Sequence, residues 1–473
     1  MNRPMHRIEH IHFVGIGGAG MGGIAEVLLN LGYTVSGSDI KQNAMAARLE
    51  NMGASVFIGH APENIESADV VVISTAIPDN NPEVATAHER RIPVVRRAEM
   101  LAELMRFKFG IAIAGTHGKT TTTSLTASVL AEAGEDPTFV IGGLLNSTQS
   151  NAKLGAGRYL VAEADESDAS FLHLQPILAV VTNVDVDHLG TYEGDVQRLH
   201  HSFIEFLSNL PFYGTAIMCV DDAGVREIMP DVHRRILTYG MHETADVRAI
   251  DLKQNNFQTN FSVVREGYPQ LDIQLNMPGL HNVQNALASI AIAQELGLEE
   301  ESILKALYAF DGIGRRFEQL GRASVKQGEV TLVDDYAHHP VELQATLQAA
   351  KQVWPDRRLV AIFQPHRYTR THELMDDFVQ VLSGVDKLLL TEVYPAGEKE
   401  ISSANSHALA RAIRERGQVE PVLLSDLDEI APTLYAVAED NDVVLIMGAG
   451  SIGRVAQTIV AQLTALNKDG EGA

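Results

Sequence analysis

The residues most able to do chemistry are concentrated in one short run of the chain. This run reads Gly115, Thr116, His117, Gly118, Lys119, Thr120 and Thr121. Glycines let a backbone approach phosphate oxygens closely, and a helix that follows points the positive end of its dipole at them. In a loop of this kind Lys119 contacts the β- and γ-phosphates, and the hydroxyl of Thr120 ligates magnesium. The general spacing has another glycine where this chain has Ile113, so we predict a shortened loop that binds a nucleoside triphosphate.

A second glycine-rich turn lies near the amino end of the chain. It contains Gly15, Gly17, Gly18 and Gly20, and Asp39 follows about 20 residues later. This spacing matches the dinucleotide fingerprint, in which the acid holds a ribose hydroxyl. Read alone, the pattern indicates an NAD-dependent dehydrogenase, while a different nucleotide diphosphate or a turn without a ligand would also fit. Because the same chain has a triphosphate loop, we favour a nucleotide diphosphate.

Both turns require strands and helices that hold them in place. Apolar runs predict strands over 109–114, 159–164 and 177–183, and acids follow the second and third strands. In an open parallel sheet, ligands bind outside the carboxyl ends of the strands, and hard oxygen ligands suit magnesium. We therefore predict Glu163 and His188 as metal ligands beside Thr120. Asp165 and Glu166 could instead cap helices, which is what we expect of Asp168.

The whole chain divides into three α/β blocks, over residues 1–106, 107–314 and 315–473. The first and last resemble Rossmann-like domains. The central block resembles a P-loop ATPase sheet, mostly parallel, with antiparallel additions over 246–276. A strand over 330–333 precedes one polar cluster, and a strand over 359–363 precedes another, so both clusters lie past strand ends.

Composition limits the classes of function. The chain has 473 residues, 45% of them hydrophobic, and a formal net charge of −24, which argues against non-specific nucleic-acid binding. Its one cysteine, Cys219, permits no internal disulfide and fits a reducing compartment. No window reaches the ~18 uninterrupted apolar residues of a membrane span, and the amino end lacks the apolar core of a signal peptide. We expect a cytoplasmic protein without membrane or nucleic-acid partners, either a monomer or a homodimer.

Four segments together resemble one family. They are the phosphate loop at 115–121, Asp-Val-Asp-His at 185–188, His-Asn-Val-Gln-Asn at 281–285 and Asp-Tyr-Ala-His-His-Pro at 335–340. In combination they are similar to the Mur ligases, the ATP-dependent enzymes that add amino acids during peptidoglycan synthesis. The resemblance spans nearly the whole chain. It implies that the first domain binds a UDP-sugar, the central domain ATP, and the third the incoming amino acid.

Within that family, the segments at 12–21 and 365–370 look like those of the members that join L-alanine to UDP-N-acetylmuramate. Several later members carry a carbamylated lysine fifteen residues after the Asp-His segment, where this chain has Phe203. The alanine-adding members are similar in lacking that lysine.

The resemblance also implies residue roles. The diphosphate of UDP would face the first glycine turn, and further contacts with the sugar nucleotide would come from Asp39, His60, Ser74 and Arg96. ATP would be held by the phosphate loop together with Asn285, Arg316 and Asp335. Two Mg²⁺ ions are expected, the first at Thr120 and the second at Glu163 and His188. L-alanine and the transferring phosphate would contact Tyr336, His338, Arg367 and Arg370.

The implied reaction passes through an acyl phosphate, with Lys119, His338 and Arg370 as catalytic residues. Closure of the third domain about residues 312–316 would exclude water from that intermediate. Four alternatives remain open: a ligase that attaches a whole tripeptide to the same UDP-sugar, a folylpolyglutamate-type synthetase, a dehydrogenase and a non-catalytic nucleotide-binding scaffold.

Overall fold

A computed structural model describes residue 5 and residues 7–74, 76–145, 150–187 and 189–471. The chain forms two compact units. The first takes in the chain up to Leu252 together with Asn260–Leu275 and Asn282–Asp311. The second takes in Lys253–Thr259, Asn276–His281 and the chain from Gly312 onward. The predicted first block and most of the predicted central block therefore belong to one unit.

The first sheet is wholly parallel, in the order β3-β2-β1-β4-β5. Its strands are β1 (His10–Val14), β2 (Thr34–Asp39), β3 (Ser55–Ile58), β4 (Val70–Ile73) and β5 (Val94–Arg96). The glycine turn follows β1, where the strand order reverses. In doubly wound sheets this reversal is where nucleotides bind.

The second sheet has the order β15-β14-β13-β12-β11-β10-β6-β9-β7-β8. Its strands are β6 (Phe109–Ala114), β7 (Thr138–Leu145), β8 (Ser150–Lys153), β9 (Tyr159–Glu163), β10 (Leu178–Val181), β11 (Thr215–Cys219), β12 (Arg235–Gly240), β13 (Val247–Asn255), β14 (Gln258–Arg265) and β15 (Leu271–Leu275). β13 is parallel to β12, so it extends the parallel run. Only two residues join β13 to β14, a connection that is possible between antiparallel strands alone, and β7 is antiparallel to β8.

The third sheet has the order β16-β17-β21-β18-β19-β20. Its strands are β16 (Glu318–Val325), β17 (Gly328–Asp335), β18 (Leu359–Phe363), β19 (Lys387–Thr391), β20 (Pro421–Leu424) and β21 (Val443–Met447). All neighbours are parallel except β16 and β17. Alternate residues of β17 and β21 enter hydrophobic clusters on opposite faces, which explains why these strands read as continuous apolar runs.

Helices cover the sheets and follow the strand ends. They are α1 (Ala19–Asn30), α2 (Ala44–Asn51), α3 (Pro82–Arg90), α4 (Arg97–Arg106), α5 (Lys119–Glu132), α6 (Val196–Ser208), α7 (Ala223–Ile228), α8 (Leu280–Glu295), α9 (Glu300–Tyr308), α10 (Pro340–Val353), α11 (Tyr368–Glu373), α12 (Met375–Leu382), α13 (Ser406–Arg416), α14 (Ile430–Val437) and α15 (Ile452–Glu471). α5 begins at Lys119, five residues earlier than its apolar pattern from Ser124 predicts. Among the residues that the structure describes, no helix is both long and apolar enough to span a bilayer.

Candidate functional site

The phosphate loop connects β6 to α5, and its two glycines have backbone angles that favour glycine. The φ angle is 127° at Gly115 and 82° at Gly118. A Cβ on Gly115 would lie 2.0 Å from the Thr182 hydroxyl, and one on Gly118 would lie 2.5 Å from Asn285 Oδ1. Both positions therefore require glycine. Because Gly118 is the N-cap of α5 and offers no side chain, the first N–H groups of the helix are left for an anion.

The segment after β10 supports the loop from one side. Asn183 Oδ1 accepts a hydrogen bond of 2.8 Å from the His117 backbone N–H, and Asn183 Nδ2 donates to the His117 carbonyl at 3.0 Å. The Asp185 backbone N–H donates to the Thr116 hydroxyl at 3.0 Å, and an Asp185 carboxylate oxygen lies 3.1 Å from His117 Nε2. These contacts fix the path of the loop before any ligand binds.

The amino end of α8 supports the loop from another side. Thr122 Oγ1 donates to Asn285 Oδ1 at 3.1 Å, and Asn285 Nδ2 donates to Asn282 Oδ1 at 3.3 Å. Asn285 is buried. Its side chain is thus engaged with α5 beside the loop, and the predicted contact of this amide with adenine stays a prediction.

Lys119 is held inside the site by three acceptors. Its Nζ donates to Glu166 Oε2 at 2.7 Å and to the carbonyls of Gly115 and Thr116 at 2.5 and 3.1 Å. In this arrangement Glu166 holds the ammonium group that the loop motif assigns to phosphate. From the sequence alone, Glu166 could be either a helix cap or a metal ligand.

The pKa values of Lys119 and Glu166 both lie above their ordinary values. Burial opposes the charge on Lys119, but Glu166 and Asp165 hold its pKa above the ordinary value. Burial also raises the pKa of Glu166 to about 7, although Lys119 acts to lower it. We take Lys119 as protonated, because Glu163 also faces it. Repulsion from Asp165 adds to burial in raising the pKa of Glu166.

The candidate metal ligands lie around the same loop. Glu163 ends β9 and pairs in register with Ile113, the penultimate residue of β6, so its carboxylate belongs to the same sheet edge as the loop. Thr120 and Thr121 lie in the first turn of α5. An acid and a hydroxyl at this edge fit a hard cation. His188 lies outside the described residues. Asp168 accepts from the Ser170 N–H at 3.0 Å, but the N-cap of the short 3₁₀ helix Ser170–His173 is Ala169, so Asp168 lies one residue before the cap position.

The acid predicted to accompany the first glycine turn, Asp39, is hydrogen-bonded to the turn itself. Asp39 Oδ2 accepts a hydrogen bond of 3.0 Å from the Gly17 N–H, and Asn43 Nδ2 donates to the Gly17 carbonyl at 3.2 Å. A Cβ on Gly17 would lie 2.2 Å from the Asn43 amide. Gly15 has a φ of 83°, and Gly18 is the N-cap of α1. Asn43 and Asp39 thus leave no room for a side chain at Gly17, and the predicted contact of this turn with a diphosphate stays a prediction.

The other predicted UDP-sugar contacts differ in their surroundings. His60 Nδ1 lies 2.9 Å from Ser38 Oγ and 3.2 Å from Glu83 Oε2, so a buried carboxylate orients the imidazole. Ser74 follows β4 at the carboxyl edge of the first sheet. Arg96 is exposed, and its backbone N–H donates to Glu99 at 2.6 Å.

Side chains that follow β17 and β18, the two strands on either side of β21 in the third sheet, meet in one cluster. The rings of Tyr336 and His338 lie 5.4 Å apart, and those of His338 and His366 lie 5.7 Å apart. Arg370 is buried, and its Nη1 lies 3.3 Å from His366 Nδ1. Arg367 is exposed, with its guanidinium 4.0 Å from the Glu398 carboxylate. Three of the four predicted amino-acid contacts are therefore joined through His366.

Arg316 and Asp335 lie in the second unit beside this cluster. The Arg316 guanidinium stacks over the Tyr336 ring at 5.0 Å from its centroid. Asp335 accepts hydrogen bonds of 2.8 and 2.7 Å from the backbone N–H groups of Phe317 and Ala337. Burial raises the pKa of Asp335 to about 6, although Arg316 acts to lower it. Their predicted contact with ATP stays a prediction.

Sequence reasoning missed two supports of the phosphate loop, Glu166 as the partner of Lys119 and Asn183 as the support of His117. Each bond joins residues more than 40 positions apart, so local spacing gives no signal for it.

Family models match the chain in three successive stretches. Residues 10–109 match the Mur ligase family catalytic domain, residues 113–293 the Mur ligase middle domain, and residues 315–450 the Mur ligase glutamate ligase domain. Each stretch contains one of the three sheets, almost in full.

Solved structures of similar proteins overlay nearly the whole chain. The UDP-N-acetylmuramate-alanine ligase MurC from Thermotoga maritima is 30% identical, with a TM-score of 0.81 over 97% of this chain and 100% of its own. The murein peptide ligase Mpl from Psychrobacter arcticus is 28% identical, with a TM-score of 0.71 over 96% and 99% of the two chains. The Thermotoga maritima MurF ligase in complex with ADP is 17% identical, with a TM-score of 0.62 over 92% and 96%, and shares the fold.

Proposed function

The chain belongs to the Mur ligase family, and we propose that it uses ATP to join L-alanine to the lactyl carboxylate of UDP-N-acetylmuramate. The product would be a precursor of peptidoglycan. The observation that carries this proposal is the full-length similarity to an alanine ligase at 30% identity. The intact phosphate loop and the polar cluster of the third sheet support it.

The charge of the substrate sets the order of steps. An amine does not displace oxygen from a carboxylate, so the carboxylate must first be activated. We propose that the lactyl carboxylate attacks the γ-phosphorus of ATP, which forms an acyl phosphate and releases ADP. The neutral amine of L-alanine then attacks the acyl carbon. The tetrahedral intermediate expels inorganic phosphate and leaves the amide.

Residues of the phosphate loop would stabilise the first step. Lys119 would exchange Glu166 for the β- and γ-phosphate oxygens, and the free N–H groups of α5 would bind the same oxygens. Magnesium, with two ions proposed, offsets the charge of the phosphates when bound. Thr120 would hold the first ion, and Glu163 with His188 the second. Glu163 fits this role because it ends the strand beside β6.

Residues of the second unit would bind the amino acid. Arg370 and Arg367 carry the positive charge that the carboxylate of L-alanine needs, and Arg370 is positioned by His366. His338 would accept the proton of the attacking amine. Its Nδ1 lies 3.1 Å from the Tyr336 carbonyl and 3.2 Å from Glu342, and these two acceptors orient the imidazole.

Phosphate release from ATP tests the reaction directly. The assay would contain magnesium and UDP-N-acetylmuramate, with or without L-alanine, beside a panel of other amino acids and the tripeptide L-alanyl-γ-D-glutamyl-meso-diaminopimelate. We expect release only when both the sugar nucleotide and L-alanine are present. Release driven by the tripeptide alone would assign the murein peptide ligase reaction instead. No release with any acceptor would contradict the proposed ligase reaction.

The division of labour between the domains has its own test. Replacing Lys119 with Ala removes the only lysine or arginine within residues 115–121. We expect turnover to be lost while UDP-N-acetylmuramate binds with nearly unchanged affinity in calorimetry. An equal loss of UDP-sugar affinity would contradict the assignment of the two nucleotides to different glycine loops.

A further inference from the structure

Arg97 occupies a position that helix energetics disfavour. It is the first residue of α4, directly after Arg96 at the N-cap, where the helix dipole repels a positive charge. Glu99 is the acid in the same first turn, and its side chain accepts a hydrogen bond from the Arg96 backbone N–H. A residue that breaks a local rule in this way is expected to have a function elsewhere.

The guanidinium of Arg97 lies between the first glycine turn and Asp165. A Cβ placed on Gly20 would lie 2.8 Å from Arg97 Nη1, so the guanidinium packs directly against the first turn of α1. Its Nη2 lies 3.6 Å from Asp165 Oδ2, in the segment that follows Glu163. Arg97 remains 27% exposed, so an entering anion can reach it.

Two adjacent acids thus hold one cation from each site. Asp165 pairs with Arg97, which packs against the first glycine turn. Glu166 is hydrogen-bonded to Lys119, which belongs to the phosphate loop. The other Asp165 oxygen accepts a hydrogen bond of 3.0 Å from the Ser167 N–H, which fixes the backbone of this segment. We call Asp165 and Glu166 the acidic bridge.

We infer that Arg97 is a positioning residue that couples the sugar-nucleotide site to the ATP site through the acidic bridge. A diphosphate at the first glycine turn attracts Arg97 and weakens its hold on Asp165. More negative charge is then left beside the phosphate loop. A divalent cation gains more from that charge than the single charge of Lys119 does, so magnesium-bound ATP binds more tightly. By linkage, ATP strengthens sugar-nucleotide binding by the same factor.

The coupling factor is measured by calorimetry on the full-length protein. The probes are UDP-N-acetylmuramate and the magnesium complex of β,γ-methylene ATP, each titrated alone and in the presence of the other. We expect at least a fivefold increase in affinity for the second ligand in the wild type. In Arg97→Met and in Asp165→Asn we expect a factor within twofold of one. Arg97→Lys should give an intermediate value, because it keeps the charge and loses the planar fork.

Arg106→Met is the matched control, since Arg106 lies at the other end of α4 and pairs with Glu103. It should keep the wild-type coupling factor. A factor near one in the wild type, or an unchanged factor in both Arg97→Met and Asp165→Asn, would overturn the inference. The inference rests on the proposed function, and the two fail differently. If the wild type binds neither probe, both are wrong, whereas binding of both without coupling contradicts the role of Arg97 alone.

Discussion

Replacing Glu83 with Gln is expected to destabilise the first sheet, because Glu83 is a fully buried carboxylate. The Ser38 hydroxyl and Asn64 Nδ2 each donate to it at 2.6 Å, and His60 Nδ1 lies at 3.2 Å. Burial alone would raise the pKa of Glu83, but His12, Ser38 and Asn64 lower it from 4.5 to about 2.

The lowered pKa of Glu83 sets the size of the expected loss of folding stability. A fall from 4.5 to about 2 corresponds to about 3 kcal/mol of stability from ionised Glu83. We treat this as an upper value, because His12 Nε2 lies 3.7 Å from Glu83 Oε2 and is too distant for a hydrogen bond. The lowered pKa means that the folded state binds fewer protons. The contribution is therefore complete above pH 4.5 and is lost as the pH falls towards 2.

Urea unfolding followed by circular dichroism measures the decrease in the free energy of unfolding. Amide exchange at Phe13 and Val14 shows whether the decrease occurs at β1. At pH 7 we expect Glu83→Gln to cost about 2–3 kcal/mol, which is on the order of a 30- to 150-fold increase in exchange at these amides. At pH 3.5 the difference from wild type should shrink by about 1.4 kcal/mol. Glu89→Gln, on the exposed face of the same helix, is the control. A cost no larger than that of the control, or one that persists at pH 3.5, would refute this reasoning.

Three further substitutions test the proposed ligase. Gly118→Ala should weaken binding of the ATP analogue at least tenfold in calorimetry, because its Cβ would lie 2.5 Å from Asn285 Oδ1, while UDP-sugar binding is retained. Glu163→Gln should raise the magnesium concentration needed for half-maximal phosphate release several-fold, with little change in the KM for L-alanine. Arg370→Lys should raise the KM for L-alanine about tenfold and leave that for ATP unchanged, since an ammonium does not reproduce the planar guanidinium, which His366 contacts through Nη1. Equal changes in both KM values would contradict the last assignment.

The strands that carry the site were predictable because they are buried on both faces. The predicted bounds of β6 and β18 agree with the structure, since continuous apolar runs that end in glycine or polar clusters leave little choice of register. β16 was not predicted because it is an edge strand, and most of its residues are partly or fully exposed, so it lacks a continuous apolar run. The start of α5 was misplaced because threonines have low helix propensity, and here tertiary contacts such as that of Thr122 with Asn285 override it.

The charge pairs of the site could not be predicted from the sequence. Lys119, Glu83 and Arg97 each stand where burial or a helix dipole opposes a charge, and each is retained because a partner distant in sequence faces it. Two of these groups, Lys119 and Arg97, are cations held by neighbouring acids at the two glycine turns. Phosphate groups would compete with those acids for the same cations. Under the proposed function, substrate binding would therefore exchange one set of charge pairs for another.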